Sequence, residues 1–343
     1  MKYLRRFRLL VAVLGLVAAL SAVGLAADEE QIRVAIVFDV GGLGDQSFND
    51  AAYVGLMKLK DEMGAHTRYV ESRTPSDYEP NLSMLAREGY DVIWSIGFLL
   101  EDAVRKTAVQ YPDTMFGIID SGFEDEEYAG TLQNVMGVLF KEHEGSFLMG
   151  VLAAMTTESN VVGFVGGIEL PVIERFEAGY KAGVWSVNPE LNILTNYTGA
   201  FDDPARGKAA ADSMARFGAD VIFHAAGATG LGVIESAEEQ GIWAIGVDSD
   251  QHHVAPDAVL NSMIKRVDVG VFEGTLMMLE PDFKGRTVFL GLAEAGVGLA
   301  PAESNNASEE ATAAALEWAQ KIASGELIVS EFVAEVYGAF DKK

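Results

Sequence analysis

Short β-branched runs alternate with longer amphipathic stretches along most of this chain. Apolar runs of strand length occur at Ile32–Phe38, Thr67–Glu71, Val92–Ser95, Met115–Ile119, Val161–Val165, Asn192–Tyr197, Val221–His224, Trp243–Val247 and Leu260–Met263, and each is expected to form a strand. Val34-Ala-Ile-Val-Phe38 and Val161-Val-Gly-Phe-Val165 are apolar without a break, the pattern of strands covered on both faces. Between the runs, Ser47–Met63 places Phe48, Ala52, Leu56, Leu59 and Met63 on one stripe at the helical period, with Gly64 in the C-cap position. Asp203–Phe217 repeats the pattern and ends at Gly218. Strands alternating with helices of this length build βαβ units and a parallel sheet.

The strands are too numerous for one open sheet. The series restarts around Phe140–Gly150, where Lys141-Glu-His-Glu144 opens a fresh helix. The expectation is therefore an α/β chain of two doubly wound lobes. Ligands of such sheets bind at the carboxyl ends of the strands, and two facing lobes gather those ends around one cleft.

Composition narrows the chemistry. The 343 residues, 49% hydrophobic and 22% charged, suit a globular protein of two domains. The absence of cysteine excludes a disulfide scaffold, a thiolate zinc site, an iron–sulfur cluster and a cysteine nucleophile. With 25 Lys+Arg against 51 Asp+Glu, the net charge of −26 argues against nucleic acid as a partner, since phosphate contacts need clustered cations. No Gly-x-Ser-x-Gly elbow is present, and His66, His143, His224, His252 and His253 fall in no triad pattern. Asp248, Asp250, His252 and His253 lie close in sequence, but adjacent histidines point apart in an extended chain. Neither an enzyme nor a bound metal or cofactor is expected.

The amino terminus reads as an address. Lys2, Arg5, Arg6 and Arg8 precede an uncharged run, Leu9–Ala27, whose apolar first half passes into Ser21-Ala-Val-Gly-Leu-Ala-Ala27 before Asp28-Glu29-Glu30. A charged head, a short apolar core and a small-residue exit make residues 1–27 a secretory signal peptide. With no cysteine at the cleavage point to accept a lipid, the mature chain is expected to be periplasmic or extracellular and unlipidated. Losing the four basic leader residues leaves 21 against 51 acids, a charge of −30.

The first predicted strand runs into Phe38-Asp39-Val-Gly41-Gly42-Leu-Gly44-Asp45-Gln-Ser47-Phe48-Asn49. These glycines do not form Gly-x-Gly-x-x-Gly, and Asp39 and Asp45 would repel phosphate. An acidic loop at a strand end suits a neutral ligand with N–H or O–H donors. Ser47 reads as the N-cap of the following helix, with Asp45 and Asn49 ordering the loop.

Asp39-Val-Gly-Gly…Asp45-Gln-Ser-Phe-Asn49 resembles the signature of the basic membrane protein (Bmp) family of ABC-transporter substrate-binding lipoproteins, including its purine-nucleoside receptor, PnrA-like branch. Further similar segments follow in order: Glu144-Gly-Ser-Phe-Leu-Met-Gly150, Val162-Gly-Phe-Val-Gly-Gly167, Tyr197-Thr-Gly-Ala-Phe201-Asp-Asp-Pro204, Gly246-Val-Asp248-Ser-Asp-Gln251 and Met263-Ile-Lys265-Arg-Val-Asp268. The resemblance covers essentially all of the mature chain. One departure is the missing lipid-accepting cysteine that many members carry.

The resemblance implies a type I periplasmic-binding-protein fold whose chain crosses a hinge more than once. Residues 28–142 with about 267–300 would form one lobe, and 143–266 with about 301–343 the other. It also implies a monomeric receptor that delivers a purine nucleoside (inosine, guanosine or adenosine) to an ABC permease. Phe48 and Phe201 would stack on the base. Asp39 and Asp120, each after a predicted strand, would accept from base N–H groups, with Asn49 beside them. Asp248 would take the ribose hydroxyls, paired with the ammonium of Lys265, and Gly227 would let the backbone approach the sugar. A sugar receptor of the same fold, and a secreted nucleoside hydrolase, are the alternative readings.

Overall fold

Strand–helix–strand units with parallel pairing account for nearly all of the chain in a computed structural model that describes residues 31–123 and 131–342. The leader expected at 1–27 lies outside the described residues. One six-stranded sheet contains β1 (Arg33–Phe38), β2 (His66–Glu71), β3 (Val92–Ile96), β4 (Met115–Ile119), β5 (Val135–Phe140) and β11 (Arg286–Leu290), in the order 2-1-3-4-5-11 and all parallel. It is flanked by α1 (Phe48–Met63), α2 (Tyr78–Arg87), α3 (Glu101–Gln110) and α8 (Val267–Met278). The second sheet contains β6 (Val161–Gly166), β7 (Asn192–Tyr197), β8 (Val221–Ala225), β9 (Trp243–Asp248), β10 (Val259–Lys265) and β12 (Val297–Leu299). Its order is 7-6-8-9-10-12, parallel except for β12, which runs antiparallel to β10. Its helices are α4 (Glu142–Thr156), α5 (Pro171–Val187), α6 (Pro204–Arg216), α7 (Thr229–Gln240), α9 (Glu309–Ala323) and α10 (Val333–Ala339).

All nine strands expected from the apolar runs form, each within two residues of its expected ends. Three further strands carried too little signal. Gly137 breaks the β propensity of β5, β11 is a half-exposed edge strand, and β12 is three residues long. The chain passes between the sheets three times, from β5 to β6, from β10 to β11 and from β11 to β12. The last passage is complete by Val297, a few residues before the boundary expected near 301.

In each sheet the strand order reverses beside the strand that comes first in the chain, between β1 and β3 and between β6 and β8. Such switch points open a crevice at the carboxyl ends of the strands. The core behind the first crevice is closed by Trp94 of β3, which is fully buried and donates its indole N–H to Thr275 Oγ1 at 2.8 Å. That bond fastens α8 to the first sheet directly after the chain arrives from the second.

Helices α4 and α5 meet almost backbone to backbone. A Cβ on Gly183 would stand 2.0 Å from the Phe147 carbonyl oxygen, and one on Gly179 2.1 Å from that of His143. This approach sets Glu142, the first residue of α4, against Arg175, the fifth residue of α5. Gly183→Ala gains up to ~1 kcal/mol of helix propensity, but the methyl must push two backbones apart. The steric cost should win, with a net loss of about 1–3 kcal/mol in urea unfolding. A stabilised Gly183→Ala protein would contradict the close packing.

Candidate functional site

The ends of β1, β3 and β4 from the first sheet, and of β8, β9 and β10 from the second, converge on one cavity of about 580 Å³ counting its mouth. Asp39, Phe48, Asn49, Asp120, Phe201, Gly227, Asp248 and Lys265, all singled out from the sequence, line it together.

The first wall is the loop between β1 and α1. The Asp45 carboxylate accepts from the backbone N–H groups of Ser47 (2.9 Å), Asn49 (2.9 Å) and Asp50 (3.1 Å), and so caps α1. This corrects the expectation for Ser47, whose side chain makes no cap bond. Two carboxylate oxygens already serve the free N–H groups of the first turn, which releases the Ser47 hydroxyl. It donates instead to Asp248 Oδ2 at 2.6 Å and lies 3.2 Å from the Val247 carbonyl oxygen. Asp39, one residue past β1, accepts from Gly41 N (2.9 Å) and Asn49 Nδ2 (3.2 Å), both on Oδ1. Burial raises its pKa above the ordinary carboxyl value despite these bonds. Among the described residues, the buried Asn49 Oδ1 has no hydrogen-bond partner.

Two aromatic rings come from opposite lobes. Phe48 opens α1 and is partly exposed, whereas Ala52 and Leu56 further along the same stripe are fully buried. The ring therefore belongs to the cavity wall and not to the core beneath it. Phe201 sits in the turn between β7 and α6, its carbonyl accepting from Thr229 N at 3.1 Å. The ring lies flush on Gly167, where a Cβ would come within 2.2 Å of it. Gly227, at φ +55°, passes behind the same turn.

The charged end of the cavity differs from the expected Asp248–Lys265 pair. Lys265, the last residue of β10 and almost wholly buried, donates to Asp120 Oδ2 at 2.7 Å and lies 3.1 Å from Glu142 Oε1. Glu142, fully buried, accepts from Arg175 Nε at 2.7 Å. Asp248 is occupied by Ser47. The pairing is crossed: a cation of the second sheet meets a carboxylate of the first, and a carboxylate of the second meets a hydroxyl of the first. The ammonium also faces the rings of Phe48 and Phe140 at 5.1 Å and Phe176 at 5.4 Å, within cation–π range.

Burial and charge compete here. Burial would lower the Lys265 pKa, but Asp120, Glu142 and Asp248 together raise it. Burial pushes Asp120 up to about 6, against the pull of Lys265. Asp248 is likewise raised by burial, while Glu142 is lowered because Lys265 and Arg175 together outweigh burial. Asp120 and Asp248 occupy matching places in the two sheets, at the ends of β4 and β9, and both take φ +64°. Non-glycine residues in this region concentrate at ligand sites. His224 is fully buried in β8 and does not line the cavity; burial lowers its pKa to about 4, so its ring is neutral.

Comparison with known proteins supplies the family. The Bmp family profile, described as ABC transporter substrate-binding protein PnrA-like, matches residues 32–332. The chain belongs to the Bmp family. It is 38% identical over 324 residues to a CD4+ T-cell-stimulating antigen of Listeria monocytogenes, covering 88% of this chain and 89% of the relative. It is 34% identical over 306 residues to an ABC transporter nucleoside-binding protein, BmpA, of Lactococcus lactis, covering 83% and 86%. Among solved structures, an ABC transporter solute-binding protein from Aeropyrum pernix superposes with a TM-score of 0.80 at 29% identity, over 90% of this chain and 96% of that one.

For a Bmp-family substrate-binding protein, the residues that sequence reasoning missed include Phe98 and Phe176, which line the cavity, Glu142 and Arg175 beside it, and the cross-cleft role of Ser47. Glu142 lies in Lys141-Glu-His-Glu144, which has the composition of a solvated helix start. Only the glycine-rich contact face of α5 hints that α4 begins inside the protein. Lys265→Met leaves Asp120 and Glu142 without their ammonium and should cost about 3–5 kcal/mol at pH 7. The deficit should shrink at pH 5, where the stranded carboxylates take up protons. Urea unfolding at both values checks this, and an equal deficit at both would contradict the charge balance described.

Proposed function

We propose that this chain is an exported, unlipidated, monomeric receptor that delivers a purine nucleoside to an ABC permease. The observation that carries this reading is the composition of the interlobe cavity: two rings from each lobe, Phe48 and Phe98 with Phe176 and Phe201, four carboxylates and one buried ammonium. A flat heterocycle slides between Phe48 and Phe201, each stacked face contributing ~1–3 kcal/mol. Asp39 accepts from base N–H groups, and the unpartnered Asn49 Oδ1 offers a second acceptor on the same edge. Asp120 Oδ1, also buried and without a hydrogen-bond partner among the described residues, offers a third. Asp248 accepts from the ribose hydroxyls, Lys265 donates to them, and Gly227 leaves room for the sugar. Asp39, Asp45, Asp120 and Asp248 repel a phosphate, which restricts the ligand to the unphosphorylated nucleoside. The nucleoside-binding relative and the solute-binding structure support a carrier over a catalyst.

Isothermal titration of the mature protein should show binding of inosine, guanosine or adenosine and none of ribose or nucleoside monophosphates. Asp39→Ala removes an acceptor from the base edge and should weaken nucleoside binding by at least tenfold. Tight binding of ribose alone, or an Asp39→Ala affinity equal to wild type, would favour the sugar-receptor reading instead.

The site also sets a pH dependence. Asp39, Asp120 and Asp248 all have pKa values raised above the ordinary carboxyl value, and a ligand that donates hydrogen bonds favours their ionised forms. Binding therefore releases protons, and affinity should fall as pH drops from 7 to 5. A flat profile across that range would contradict carboxylate recognition.

A further inference from the structure

The loop that carries Gln46 and Ser47 makes five contacts of hydrogen-bond length with the end of β9 and the segment that follows it, across the cleft from it. The Ser47 hydroxyl lies 2.6 Å from Asp248 Oδ2 and 3.2 Å from the Val247 carbonyl oxygen. Ser249 Oγ donates to the Ser47 carbonyl at 3.2 Å, and Gln251 Nε2 to the Gln46 carbonyl at 3.2 Å. His253 Nε2 lies 2.7 Å from Gln46 Oε1.

Both halves are built to hold their shape. On the first side, Asp50 Oδ2 accepts from Gln46 N at 2.9 Å and keeps that residue at φ +51°. On the second, Gln251 Oε1 accepts from Val247 N at 2.9 Å, and Gln251 N donates to Ser262 Oγ at 3.0 Å. Gln46, Ser47, Ser249, Gln251 and His253 are absent from the cavity lining, so these contacts join lobe to lobe without passing through a ligand. The chain itself crosses between the sheets elsewhere, beside Glu142 and Lys265.

We propose that Gln46 and Ser47 form a latch that engages when the lobes close and sets how long the ligand is held. This rests on the receptor reading above. Ser47 acts in it as a positioning residue: its hydroxyl fixes the carboxylate of Asp248 only when the first lobe has swung onto the second, so closure and sugar recognition are completed together. Opening must break the latch contacts before the ligand leaves. Their loss should therefore appear in the release rate and not in the rate of encounter.

The absence of cysteine makes a clean test available. Nitroxides on Val54→Cys in α1 and Phe217→Cys after α6, both exposed, report the separation of the lobes by electron–electron double resonance. Stopped-flow tryptophan fluorescence with inosine gives the association and release rates. Gln46→Ala and Ser47→Ala should each speed inosine release about tenfold, leave association within twofold and shift the distance distribution outward. Unchanged release rates together with unchanged distances in both variants would overturn the latch. If the wild-type protein binds no nucleoside, the receptor reading fails separately. The latch is then judged on distances alone: an outward shift in the variants supports it, and identical distributions overturn it.

Discussion

A single buried ammonium, shared between groups from both halves of the chain, governs the arrangement of the cleft. Lys265 ends β10 of the second sheet, yet its partners are Asp120 at the end of β4 and Glu142 at the passage between the sheets. A charge this deeply buried is tolerable only with partners in close geometry. The same geometry locates one lobe against the other. Arg175 secures Glu142 from behind, and the glycine-lined contact of α4 with α5 brings those two side chains together. Two cations then serve three carboxylates, Asp120, Glu142 and Asp248, with Asp39 close by on the first wall. The surplus of acceptors over donors gives the cavity its chemical character, and the proposed ligand, neutral and rich in N–H and O–H groups, would answer it. On the proposed reading, Phe48 and Phe201 among the lining rings favour a flat molecule.

Much of this was legible in the sequence because doubly wound sheets place ligands at strand ends. Asp39, Asp120, Asp248 and Lys265 each end or follow a strand, so reading the strands located the residues. Met115–Ile119 and Asn192–Tyr197 were bounded correctly, since their apolar runs stop abruptly at polar or turn-forming residues. What could not be read was which carboxylate meets which donor. Lys265 and Asp120 are 145 residues apart, and Ser47 and Asp248 are 201 apart, on strands and loops of different sheets. No local pattern encodes how far two separately folded sheets rotate toward each other. Glu142 was hidden for another reason: a carboxylate within a charged run looks solvated, and only the close approach of two helices buries it. Ser47 was misjudged because Asp45 does its capping work from two residues upstream, where a single carboxylate satisfies three backbone donors.

The most direct test is a crystal structure of the mature protein grown with inosine. The account requires the hypoxanthine ring to lie between Phe48 and Phe201, its edge against Asp39 and Asn49, and the ribose hydroxyls within hydrogen-bond distance of Asp248 and Lys265. Density for the nucleoside outside the cleft, or a base that leaves either ring uncovered while Lys265 stays bonded only to Asp120 and Glu142, would contradict it.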